Sequence, residues 1–275
     1  MRIVILSSSV YSETACAMAV RLAESGHVPV GALALRALDS TTLLRKVGQW
    51  GARGVAHYAR AKLIPHHADG PPQVKNPHLR PLLENGRGVL LSLRAVTELY
   101  CFPVASCADQ NGSDSIALLK EWSPDVIIFT GGNILRKPLL DVPRLGVLNV
   151  HLGLLPEIRG MSSPEWSLLK NVPVGITIHY MAVGIDTGPI LQRYEFPEAR
   201  QCESLDDLRN RLIAFGIDKT AEVVAALDHG ALSAIPRSDL DCDNQFFVMH
   251  EWLRERAAER LAKSRTATIA GAVHG

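Results

Sequence analysis

Asn149 and His151 stand two residues apart at the end of an apolar run, Leu145 to Val150. On an extended strand the side chains at i and i+2 share a face, so this carboxamide and this imidazole point the same way. Further along, Gly184-Ile185-Asp186-Thr187-Gly188-Pro189 presents a carboxylate in a tight glycine turn. An amide, an imidazole and a carboxylate brought together suit acyl transfer. The amide can bind a developing oxyanion, the imidazole can position a proton, and the acid can orient the ring and raise its pKa. Taken singly, each residue also has a plainer explanation: Asn-x-His can simply close a strand, and Asp is an ordinary turn residue.

Other chemistries lack their residues. The turn after the first strand reads SSSVYSE, without the G-x-G-x-x-G that lets a backbone approach a dinucleotide pyrophosphate. There is no Walker A sequence and no H-E-x-x-H. His66-His67 with Asp69 lies in a proline-rich loop and reads as solvent exposed, so no metal is assigned there. Asp239, Asp241 and Asp243 lack the glycine and downstream glutamate of a calcium loop and read as a solvated acidic turn. The five cysteines are odd in number and have no C-x₂-C spacing, which fits reduced thiols.

Lys+Arg 29 against Asp+Glu 28 gives a net charge of +1, so no global field holds a polyanion and no nucleic-acid partner is expected. No apolar run approaches the roughly 18 residues of a membrane helix. The first apolar run, Ile3 to Leu6, is of strand length, too short for a signal peptide. A cytoplasmic protein without a membrane partner is the expectation. The length of 275 residues allows one large domain or a domain with a small appendage.

The elements that must position the candidate residues follow from periodicity. Arg2 to Leu6 reads as a buried strand, and Ala15, Met18, Ala19, Leu22 and Ala23 mark one side of a helix that Gly26 stops. Val28 to Leu35 is a second strand, which completes a βαβ unit and predicts parallel pairing with a right-handed crossover. Leu99 to Ala105, Asp125 to Thr130, Leu145 to Val150, Gly175 to Tyr180 and Ile190 to Phe196 read as further strands. Asn111-Gly112-Ser113 marks a turn and Ser115 to Glu121 a short helix. From Ser204 the spacing of Leu205, Leu208, Leu212, Phe215, Ala221, Val224 and Leu227 is helical. Residues 245–263 read as a last helix and 264–275 as a frayed tail.

The expected class is α/β, a Rossmann-like open, mostly parallel sheet with flanking helices and a small helical C-terminal extension. Residues 1–200 would form the catalytic domain, with an insertion at about 40–80, and 201–275 the extension. The insertion carries Arg45, Lys46, Arg53, Arg60 and Lys62, either on a solvated helix face or on a wall facing an anionic substrate. Apolar residues around Trp252 can pack the last helix on the body or on a second copy, so monomer and homodimer both stay open. In open parallel sheets ligands bind at the carboxyl ends of the strands, where Asn149 and His151 fall.

The chain also resembles the folate-dependent formyltransferases, the family of glycinamide ribonucleotide transformylase and methionyl-tRNA formyltransferase. The family pattern is roughly N-x-H-x-S-L-L-P-x-x-R-G, then G-x-T-x-H, then a D-x-G turn. This chain has Asn149, His151, Leu154-Leu155-Pro156, Arg159-Gly160, Gly175, Thr177, His179, Asp186 and Gly188, with Gly153 where the family usually has Ser. The resemblance covers about 1–200, weakly at 36–98 and best over 124–196. It implies transfer of a formyl group from N10-formyltetrahydrofolate, as co-substrate, to a primary amine. Asn149, His151 and Asp186 are then the catalytic residues. Cofactor contacts are implied from Ile134, Leu135 and Arg136 and from Val183 and Gly184, largely through the main chain. Arg159 and His179 are implied on the substrate side, Arg159 being suited to an anionic group on the amine. The residues after 200 read as helical and too few for the basic barrel of the tRNA enzymes. A small-molecule amine is therefore expected, a sugar nucleotide or a specialised metabolite. Formyltetrahydrofolate hydrolysis, another one-carbon or acyl transfer, and a non-catalytic folate-binding module stand as alternatives.

Overall fold

A computed structural model describes residues 1–36, 73–86, 88–236 and 245–272. Its main sheet has seven strands: β1 (Ile3–Ser7), β2 (Gly31–Leu35), β3 (Val104–Cys107), β4 (Val126–Phe129), β5 (Gly146–His151), β6 (Gly175–Tyr180) and β7 (Ile190–Glu195). Their spatial order is β7-β6-β5-β4-β1-β2-β3. The pairs from β3 through β5 are parallel, and β5–β6 and β6–β7 are antiparallel. The chain winds outward from β1 to β3, then returns to β4 on the other side of β1. This is a topological switch point, and it opens a crevice at the carboxyl ends of β1 and β4.

The main helices are α1 (Glu13–Glu24), α2 (Leu93–Tyr100), α3 (Ser113–Trp122), α4 (Ser163–Lys170), α5 (Leu205–Asp228) and α6 (Glu251–Ala272). Alternate residues of β1 feed two cores. Ile3 and Ile5 join Met18, Leu22, Leu93 and Val224 on one face, while Val4 and Leu6 join Leu119, Ile127 and Leu139 on the other. Both faces of the strand are covered, which is why its sequence is continuously apolar. At the start of α1 the Ser12 hydroxyl accepts from the Ala15 N–H at 3.3 Å, a cap of about 1 kcal/mol.

Several expectations need correction. Leu99 and Tyr100 belong to the last turn of α2, and the strand begins only at Val104. Ser92 caps that helix, and buried Leu93 and Val96 draw it onto the core, so the short apolar run Leu99–Phe102 ends a helix. Gln245–Phe246 is not helical but a two-residue strand beside Arg159–Gly160. The final helix starts at Glu251 and continues to Ala272 instead of fraying at 264. Ile217, Ala221, Val223 and Val224 of α5 lie in the core under β5 and β6. Buried Glu165 accepts from the Arg209 guanidinium at 2.8 and 2.9 Å, tying α4 to α5. Helix α6 docks through buried Ala257 and Leu261 and leaves Trp252 exposed.

The basic residues of 45–62, His66-His67, Asp69, Asp239, Asp241, Asp243 and Cys242 lie outside the described residues. Burial pushes the Cys16 thiol up to about 12 and the Cys202 thiol to about 11, so neither is a thiolate at neutral pH. Among the described residues no helix is long and apolar enough to cross a membrane.

Candidate active site

Asn149 and His151 occupy the carboxyl end of β5, between β4 and β6. Asn149 lies opposite Phe129 on one side and His179 on the other, and His151 lies opposite Thr177. Register alone therefore brings the carboxamide and both imidazoles to one patch. Asp186 enters from the turn between β6 and β7 in a left-handed conformation, φ 51°, which Asp tolerates better than most residues.

The carboxylate is the hub. Asp186 Oδ2 accepts the Gly160 N–H at 2.9 Å and lies 3.3 Å from His151 Nδ1, while Oδ1 lies 3.6 Å from His179 Nε2. Burial pushes this carboxyl up. A hydrogen bond from His179, the charges of the two imidazoles and the Gly160 N–H together outweigh that and hold it below the usual carboxylate range.

Each ring is fixed at its other nitrogen. His151 Nε2–H donates to the Ile158 carbonyl at 2.7 Å, and His179 Nδ1–H donates to the Tyr180 carbonyl at 2.8 Å. His179 Nε2 also lies 3.2 Å from Asn149 Nδ2. The loop carrying Ile158 hangs from Thr177, whose hydroxyl donates to the Gly153 carbonyl at 2.8 Å and accepts from the Leu155 N–H at 3.0 Å. Gly153 is required by close approach. A methyl there would come within 2.9 Å of His151 Nε2 and 3.2 Å of the Ile158 oxygen.

Asn149, His151 and Asp186 thus lie in one patch. His179 joins them: it is buried and touches Asn149 and Asp186. Arg159 turns toward Gln245, with Nη2 3.4 Å from Oε1. Its Nε is screened from solvent and has no hydrogen-bond partner among the described residues. Of the expected cofactor residues, Ile134 and Val183 expose their side chains and Leu135 buries its own. The Ile134 carbonyl and the Arg136 N–H are already engaged by the side chain of Asn111. The sequence reading missed Asn111, Gln110, the Ile158 carbonyl and the Gly160 N–H. Main-chain groups leave no residue signature, and Asn111 reads only as part of a turn.

Comparison with known proteins bears on this geometry. The formyl transferase model matches residues 85–224. A methionyl-tRNA formyltransferase from Pelobacter propionicus is 32% identical over 163 residues, 57% of this chain and 51% of the relative. The chain spans about half the length of the curated relatives it matches. A sugar N-formyltransferase from Shewanella sp. FDAARGOS_354 shares the fold, with TM-score 0.53 and 16% identity, over 95% of this chain and 87% of that one. An N-formyltransferase from Helicobacter canadensis, in complex with folinic acid and dTDP-3-aminofucose, shares it with TM-score 0.50 and 14% identity, over 90% and 71%.

Proposed function

The chain belongs to the formyl transferase family, and from that premise we propose that it transfers a formyl group from N10-formyltetrahydrofolate to the primary amine of an anionic small molecule, a sugar nucleotide foremost. The observation that carries this reading is the meeting of Asn149, His151 and Asp186 at the carboxyl end of β5. The folate supplies an electrophilic formyl carbon. Asn149, which meets His179 Nε2 at 3.2 Å, directs an amide N–H to the negative charge that grows on the formyl oxygen. One such donor typically contributes about 100- to 1000-fold in kcat. His151 faces a carboxylate and a carbonyl, both acceptors, and a doubly protonated ring satisfies both. Its positive charge then lies beside the reacting centre. Asp186, held ionised at neutral pH, orients that ring and is the nearest base for the proton leaving the amine.

The acceptor class rests on two supports. The Shewanella and Helicobacter structures are N-formyltransferases, the first named for sugars and the second holding an amino-sugar nucleotide. Arg159 stands in the loop that follows β5, and its guanidinium suits bidentate contact with a phosphate or carboxylate. The test is to incubate the protein with N10-formyltetrahydrofolate and, separately, amino-sugar nucleotides, methionyl-tRNA or no amine. Formamide product should form with an amino-sugar nucleotide. Formylation of methionyl-tRNA alone, or formate release without any amine, would overturn the acceptor assignment.

A further inference from the structure

Residues 131–136 leave β4 beside Asn149 without joining a strand, yet three consecutive side chains from the β3–α3 connection pin them. Gln110 is fully buried; its Nε2–H donates to the Ser7 carbonyl at 3.1 Å and its Oε1 accepts the Asn133 N–H at 3.0 Å. Any side chain at Gly132 would overlap that carboxamide. Asp109 accepts the Asn133 Nδ2–H and the Asn111 N–H, each at 2.9 Å. The bond from the Asn111 N–H is the main reason its carboxyl sits below the usual carboxylate range.

Asn111 makes the most specific contact. Its Oδ1 accepts the Arg136 N–H at 2.8 Å and its Nδ2–H donates to the Ile134 carbonyl at 3.0 Å. These two main-chain groups flank Leu135 on one edge, as groups of a strand address a single neighbour. The N–H and C=O of Leu135 therefore leave by the opposite edge, and no described residue hydrogen-bonds to them. A donor and an acceptor side by side on one residue match the amide-like edge of a pterin, which offers an acceptor beside a donor. The exposed side chain of Ile134 adds apolar surface next to them.

We propose that Asn111 is a positioning residue for the formyl donor: its carboxamide clamps residues 134 and 136 from behind, so that Leu135 presents its N–H and C=O to the pterin. The inference rests on the formyl-transfer reading above. It assigns no chemistry to Asn111. Losing the clamp should weaken donor binding and leave the reacting centre intact.

The test measures tetrahydrofolate binding to the full chain by calorimetry, for the unsubstituted protein, Asn111→Ala and Asn111→Asp, together with steady-state kinetics. Two main-chain hydrogen bonds justify an expected loss of about tenfold in affinity for Asn111→Ala. The KM for N10-formyltetrahydrofolate should rise by a similar factor, with kcat and the KM for the amine unchanged. Asn111→Asp keeps the acceptor for the Arg136 N–H and loses the donor to Ile134, so it should fall between, and it serves if the alanine variant folds poorly. Equal tetrahydrofolate affinity in all three proteins overturns the clamp and leaves the formyl-transfer reading standing. An equal rise in both KM values with a lower Tm means a merely structural role and also overturns it. No tetrahydrofolate binding by the unsubstituted chain overturns the formyl-transfer reading and the clamp with it.

Discussion

Asn149 and Leu135 lie at the same rim of the sheet but are held by different means. Asn149 sits in a ladder, with Phe129 and His179 as its rungs, and its amide is oriented by a ring whose far nitrogen is tied to the Tyr180 carbonyl. Leu135 has no ladder, and the Asn111 carboxamide stands in for a neighbouring strand. Groups expected to meet developing charge are thus fixed by register, which is set by every pair along β5 and β6. The groups expected to grip the donor are fixed by a few side-chain bonds. The first arrangement cannot drift without shifting the sheet, whereas the second depends on single residues. Substitutions should divide the same way, into losses of rate at the ladder and losses of binding at the loop.

The largest effect should come from the ladder. His151→Ala and Asn149→Ala are each expected to lower kcat at least about 100-fold, with little change in the KM of either substrate, because each acts on the transition state more than on the ground state. A rise in KM at unchanged kcat would erase the division between the two regions. Next, His179→Ala removes the buried ring that meets the Asn149 amide at 3.2 Å. The loss of a single orienting hydrogen bond predicts a fall in kcat of about tenfold, with both KM values held. A change confined to the KM of the amine would place His179 on the substrate wall instead.

Smaller still is Gly153→Ala. The added methyl would come within 2.9 Å of His151 Nε2, so the ring must leave the Ile158 carbonyl or the loop must shift. A stability loss of about 1–3 kcal/mol is expected by denaturant titration. The His151 ring resonances should move in NMR spectra, whereas those of His27, remote from the site, should not. The smallest effect concerns acid. The Asp186 carboxyl sits below its ordinary value in the fold, so its contribution to stability is fully present above the unfolded pKa of about 3.9 and is lost as pH falls through the folded value. Stability measured from pH 7 to pH 3 should therefore fall less steeply for Asp186→Asn than for the unsubstituted chain. Parallel curves would mean that the carboxylate is not specially held.

The same contrast governs what can be read from sequence. The i, i+2 pair of Asn149 and His151 and the acid in its glycine turn are legible, because strand period and turn chemistry are local. The sheet is legible for the same reason: runs such as Asp125–Thr130 announce a central parallel strand. Leu99–Phe102 is not, because four apolar residues fit a helix end as well as a strand, and the outcome depends on Leu93 and Val96 reaching the core. The place of α5 under β5 and β6 is also hidden, since a helical pattern shows which face is apolar but not what it covers. Asn111 is hidden most deeply. It acts through bonds to main-chain groups 23 and 25 residues away, and nothing in the types of those residues points back to it.

The most direct test of the central assignment follows tetrahydrofolate release from N10-formyltetrahydrofolate, with and without an amino-sugar nucleotide, for the unsubstituted chain and for His151→Ala. The expected result is release only with the amine, one formamide formed for each tetrahydrofolate, and a rate at least about 100-fold lower in the variant despite unchanged donor affinity. Undiminished release by His151→Ala, or equal release with formate as product when no amine is present, would contradict it.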